Sequence, residues 1–137
     1  MNINKQTMNG IIKHISLIVN DYDEAIEFYT QKLNFDLVED TQISEHKRWI
    51  LIRPKGKSDF SLLLSKATSD LAKKAVGNQA GGKVFIIMHT DDVDRDFNNF
   101  RNKGVEFIQE PKSLPHGKVA IFKDLYGNLW DLIEPQS

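Results

Sequence analysis

The sequence predicts an α+β protein built from two paired βαβββ modules, and three observations carry that prediction. The stretch from His14 to Phe35, HISLIVNDYDEAIEFYTQKLNF, recurs in outline from Phe85 as FIIMHTDDVDRDFNNFRNKGVEF. One constant offset brings Asp21 onto Asp92, Asp23 onto Asp94, Ile26 onto Phe97 and Tyr29 onto Phe100. What repeats is a physical pattern more than an identity: an alternating strand, an Asp-capped helix, a polar break and a second strand. Each copy is then followed by further alternating segments separated by turn-forming residues. Finally, 137 residues suffice for one domain-sized core, so the copies are halves of one unit. The domain is placed at residues 11–135, with a first module over 11–66, a connector over 67–82 and a second module over 83–135.

Residues 1–10 are polar and are expected to form a flexible lead-in. From Ile11 to Val19 the chain alternates as a strand. Ile15, Leu17 and Val19 form an apolar face, while His14, Ser16 and Ile18 form a mixed face suited to a cavity wall. Asp21 reads as a helix N-cap, with Asp23 and Glu24 in the first turn, where the helix dipole favours negative charge. Tyr22, Ile26, Tyr29 and Leu33 make the core stripe, and Asn34 suits a left-handed end. Strands are expected at 35–40, 48–53 and 60–64. Arg48, Ile50 and Ile52 share one face of the second, and Trp49 and Leu51 share the other. In the third, Ser61 and Leu63 oppose Phe60, Leu62 and Leu64.

The connector reads as a short helix over 70–76 followed by the Gly-rich run 77–82, which is either a lid or a plain linker. In the second copy a strand at 83–90 sets Phe85, Ile87 and His89 against Val84, Ile86 and Met88. A helix over 93–103 follows, capped by Asp91 or Asp92 and closed by Gly104. Strands at 105–109, 118–123 and 129–134 complete the module, with Pro111, Pro115, His116 and Gly117 in a loop and 124–128 in a turn.

Composition narrows the function classes. A formal net charge of −1 leaves no electrostatic footprint for nucleic acid or an anionic membrane surface. No apolar run is long enough to cross a bilayer. The absence of cysteine removes disulfides, thiolate metal sites and a Cys nucleophile. MNINKQTMNG lacks the apolar stretch of a secretory signal, so a cytoplasmic location is expected. No Gly-rich phosphate loop, Ser nucleophile elbow or HExxH motif is present.

VNDYDEAIEFYTQKLNF after a strand histidine, TDDVD opening the second copy and DLYGNLWDLIEP at the end carry a resemblance. Over residues 11–135 the chain resembles the vicinal oxygen chelate superfamily, which takes in glyoxalase I, extradiol dioxygenases and bleomycin- and fosfomycin-resistance proteins. That resemblance implies paired modules whose concave faces enclose a cavity, a tendency to form homodimers and, in some members, a cavity shared between two chains. It also implies metal ligands on the first and fourth strands of each module. His14 and Asp131 match two of those positions. The other two fall at Phe85 and at or beside Leu63, which cannot coordinate a metal.

The expectation is therefore a protein that binds a small organic molecule between its modules without a cofactor. The alternative is a metal-dependent lyase, of the lactoylglutathione lyase type, or a dioxygenase. It would hold Ni, Zn, Mn or Fe at His14 and Asp131, with His89 as a displaced third ligand. Without a metal, Asp131 is placed to pair with His14. The ligand-binding residues are expected to be Arg48, Gln79, Phe85, His89, Leu63 and Trp49. Arg48 would either clamp a carboxylate or phosphate or form a rim salt bridge. His89 is also the candidate acid–base group. Whether Trp49 or Trp130 faces inward depends on strand register.

Overall fold

The computed structural model describes residues 6–56 and 58–136; residues 1–5 of the expected flexible lead-in lie outside the described residues. The first module contains β1 (His14–Val19), α1 (Tyr22–Glu27), β2 (Phe35–Gln42), β3 (Arg48–Pro54) and β4 (Ser61–Lys66). A short α2 (Asp70–Ala75) lies in the connector. The second module contains β5 (Val84–His89), α3 (Val93–Asn102), β6 (Phe107–Leu114), β7 (Gly117–Lys123) and β8 (Leu129–Pro135). The sheets have the same internal order, β1-β4-β3-β2 and β5-β8-β7-β6, with β1 parallel to β4 and β5 parallel to β8. The repeat in the sequence is thus a repeat of topology.

Both helix starts follow their local chemistry. The Asp21 carboxylate accepts a hydrogen bond from Glu24 N at 2.8 Å, and Asp92 accepts one from Arg95 N at 3.0 Å. The first helix departs from the expected continuous α-helix, because Phe28–Lys32 forms a π-helical turn. That wider turn buries the adjacent rings of Phe28 and Tyr29 together, which a regular stripe would separate. Asn34 closes it at φ 60. The expected loop at Pro111 is instead part of β6. Proline is tolerated there because β6 is an edge strand whose register shifts between Gln109 and Lys112.

Each sheet carries its helix on one face, and these faces meet in a common core. Leu17, Ile50, Ile52, Leu62 and Leu64 come from the first sheet, and Ala120, Phe122, Trp130 and Leu132 from the second. Trp130 lies at the centre. Its ring stacks on Phe122 at 5.7 Å and meets both Tyr29 and Phe35 of the first module at 5.9 Å. Because Phe35 and Trp130 belong to different sheets, the two helix-bearing faces are turned toward each other. The helix-free faces therefore point outward.

A polar lock reinforces the joint. Buried Asp124 accepts hydrogen bonds from the backbone N–H groups of Tyr126, Gly127 and Asn128 at 2.9, 3.0 and 2.9 Å. It also accepts one from the Asn128 amide at 2.9 Å and one from the Tyr29 hydroxyl at 2.7 Å. The connector is held in the same region, since Gly77 (φ 74) passes so close to the Tyr126 carbonyl that a Cβ would lie 1.9 Å from its oxygen.

Tyr126 donates to Glu24 at 2.9 Å, and burial, then this bond, pushes its hydroxyl up to about 12. A folded value above the ordinary tyrosine value of about 10 means the contribution is fully present below that pH and lost as pH rises toward the folded value. Urea midpoints measured across the alkaline range should therefore fall, and fall less steeply in Tyr126→Phe. Equal slopes in the two proteins would contradict this assignment.

Candidate functional site

The residues that could meet a ligand lie mainly on the two helix-free faces. On the first sheet, Ser16, Leu63 and Leu51 stand in register across β1, β4 and β3. Alternation places His14 and Trp49 on the same face. Their rings meet edge to face at 6.4 Å although β4 lies between their strands, so the sheet is curled and this face is concave. The expected sites His14, Trp49 and Leu63 are thus brought onto one wall. Ser16 and Leu51 join them through the same alternation that placed their neighbours.

On the second sheet, Ile87, Asp131 and Ile121 stand in register across β5, β8 and β7, and His89 is paired with Ile133. Burial raises the Asp131 carboxyl above its ordinary value, partly opposed by the charge of His116. The nearby imidazole is that of His116 and not His14, with which the sequence suggested a pairing. Ile87 remains 61% exposed, an unusual state for isoleucine in a finished core.

Three expected contacts take other positions. Arg48 lies on the helix-bearing face, where alternation with Ile50 and Ile52 puts it. Its guanidinium donates to Asp40 at 3.1 and 2.6 Å and to Asp23 at 2.9 Å, and it stands over the Tyr22 ring. This pairing raises the Arg48 pKa and lowers that of Asp40, and it fills the fork with the chain's own carboxylates. Gln79 accepts from Ile18 N at 2.7 Å and donates to the Ser16 carbonyl at 3.0 Å. Its side chain thus occupies the free edge of β1 as a strand would, which pins the Gly-rich run rather than leaving it a loose lid. Phe85 falls at a register shift between Val84 and Ile86 and packs against the core.

The geometry also bears on a metal. His14 and Asp131 sit on the outward faces of different sheets, and among the described residues no three His, Asp or Glu side chains converge. The described residues of one chain do not bring together the three or more N/O donors that such a site uses.

A separate cleft of about 680 Å³ opens between the modules on the side of the core. Its floor includes Phe35, Leu62, Met88, Trp130 and Leu132, and its rim includes His89. The cleft follows the free edge of β5, since side chains from both faces of that strand line it. No single short motif announced it, because its walls come from segments far apart in the chain.

Comparison with known proteins now adds to this geometry. Residues 11–132 match the family model described as Glyoxalase/Bleomycin resistance protein/Dioxygenase superfamily. An uncharacterized protein of Shewanella frigidimarina (strain NCIMB 400) is 50% identical over 128 residues, covering 93% of this chain and 95% of its own. Human mitochondrial methylmalonyl-CoA epimerase is 27% identical over 128 residues, covering 90% of this chain and 73% of its own. Among solved structures, TnmS3, an antibiotic binding protein from Streptomyces sp. CB03234, is 32% identical with a TM-score of 0.78. That match covers 95% of this chain and 99% of TnmS3.

Proposed function

The chain belongs to the Glyoxalase/Bleomycin resistance protein/Dioxygenase superfamily, and from that premise we propose that it is a metal-independent binder of a small, largely apolar organic molecule. The ligand is held between the helix-free face of a first module and that of a second module from another copy, in a homodimer. The observation that carries this reading is the outward direction of the two faces. Each presents half a wall: His14, Trp49, Leu51 and Leu63 on one, Ile87, His89, Ile121 and Asp131 on the other. A twofold axis would bring unlike halves together twice and make two equivalent cavities.

The likeness to an antibiotic binding protein supports the ligand class. The apolar side chain of Leu63, on the concave wall, supports binding without a metal.

A second reading, in which the ligand occupies the inter-module cleft, is favoured by the cleft's own volume of about 680 Å³. One experiment separates them. A thermal-shift screen against antibiotics and metabolites should yield a ligand that, at a hundred times its dissociation constant, stabilises the fold by about 2.7 kcal/mol. Trp49→Ala should then weaken it about tenfold, as expected from losing ~1.4 kcal/mol of ring contact, and Met88→Ala should not. The reverse pattern moves the ligand into the cleft. Stoichiometric Mn²⁺ or Ni²⁺ that is lost in His14→Ala would instead favour the metal-dependent lyase or dioxygenase.

A further inference from the structure

We propose that Arg53 anchors a carboxylate of the ligand against the helix-free face of the first module. Of the four arginines in the chain, three are engaged by its own carboxylates: Arg48 by Asp40 and Asp23, Arg95 by Asp91 and Asp96, and Arg101 by Glu110. Arg53 is partly buried, yet among the described residues no hydrogen bond or ion pair engages its guanidinium. Its cross-strand neighbour Asp36 lies closer to Lys55, at 3.9 Å.

Strand register places this charge. Arg53 shares a face of β3 with Leu51 and Trp49, opposite to the core residues Ile50 and Ile52. Leu51 is paired with Leu63, so two residues along Arg53 comes level with Ser61, which is itself paired with His14. One row across β1, β4 and β3 thus carries His14, Ser61 and Arg53, three side chains able to donate hydrogen bonds. Ser61 is only 4% exposed, so it sits within the wall rather than out in water. The next row, Ser16, Leu63 and Leu51, is mostly apolar. Such a wall suits an amphipathic ligand, with its acid at the first row and its apolar body over Leu63 and Trp49. Closing a second copy's wall over this face strips water from the guanidinium. A charge so enclosed is costly unless an anion accompanies it, and the planar fork takes a carboxylate through two parallel bonds. The inference rests on the reading that the ligand lies against this face, and it adds the chemical class.

The probes are naphthoic and cinnamic acids with their carboxamides, which differ in charge and little in shape. By calorimetry at neutral pH the parent should bind the better acid about tenfold tighter than its amide. That preference should vanish in Arg53→Gln and survive in part in Arg53→Lys, with the parent's circular dichroism spectrum retained. Trp49→Ala should weaken acid and amide alike, as expected if both lie on the one wall. Equal binding of acid and amide by the parent overturns the anchor and leaves the binding reading standing. So does a preference that persists in Arg53→Gln while its dimer weakens, which assigns the guanidinium to a carboxylate of the other copy. Failure of every probe to bind at millimolar concentration overturns both.

Discussion

Replacing Asp124 with alanine is expected to cost about 4 kcal/mol, a fall in melting temperature on the order of 10–15 °C for a chain of this size. The magnitude follows from what is stranded. Two backbone N–H groups, the Asn128 amide and the Tyr29 hydroxyl lose their acceptor in a largely buried turn, while the Gly127 N–H keeps the Asp124 carbonyl at 3.1 Å. Each unpaired buried donor costs ~1–3 kcal/mol in isolation, and relaxation of the turn recovers part of the total. Asp124→Asn should cost less, because one oxygen can still serve the backbone donors while its new N–H₂ opposes the Asn128 amide. Tyr29→Phe should cost least, about 1–2 kcal/mol, since it deletes one bond and leaves the others intact. Thermal denaturation of the three variants gives the ranking. A change of less than about 2 °C in Asp124→Ala would show that the lock contributes little.

The role of Asp124 also marks where the sequence ceased to be legible. The run 124–128 read only as a turn, and local composition supports that much. Its partner Tyr29 lies 95 residues earlier, and nothing in either stretch signals the other. By contrast, the repeat, both aspartate caps and most strand faces were legible, because each depends on period and local hydrogen bonding. Arg48 shows the boundary between these cases. Alternation correctly joined it to Ile50 and Ile52, but alternation does not say which face carries the helix. That face is settled by contacts such as Phe35 with Trp130, and with it the outward direction of His14, Trp49 and Leu63. Phe85 and Pro111 were misplaced for a related reason. Register shifts in β5 and β6 arise from pairing with neighbouring strands, so an unbroken period of two cannot foresee them.

Trp130→Ala should have a comparable effect on stability, about 3–5 kcal/mol, through a different cause. Its ring contacts Phe122 of its own module and Tyr29 and Phe35 of the other, so truncation opens a cavity at the joint itself. The indole N–H has no well-formed hydrogen bond, although it lies close enough to the Tyr29 hydroxyl to interact with it, so the loss is chiefly one of packing. Trp130→Phe should accordingly recover more than half of the deficit, which a polar role for the indole would not allow. The same cavity loosens the angle between the modules, and that angle fixes where the two helix-free faces stand. Ligand affinity should therefore fall in Trp130→Ala although the ring lies on the core side and not on either face. Trp49→Ala, on the concave wall, should lower affinity while leaving the melting temperature within a few degrees. Calorimetry on both variants, with and without ligand, separates the two effects. If Trp130→Ala bound as tightly as the parent once refolded, the core packing would not govern the geometry of the faces.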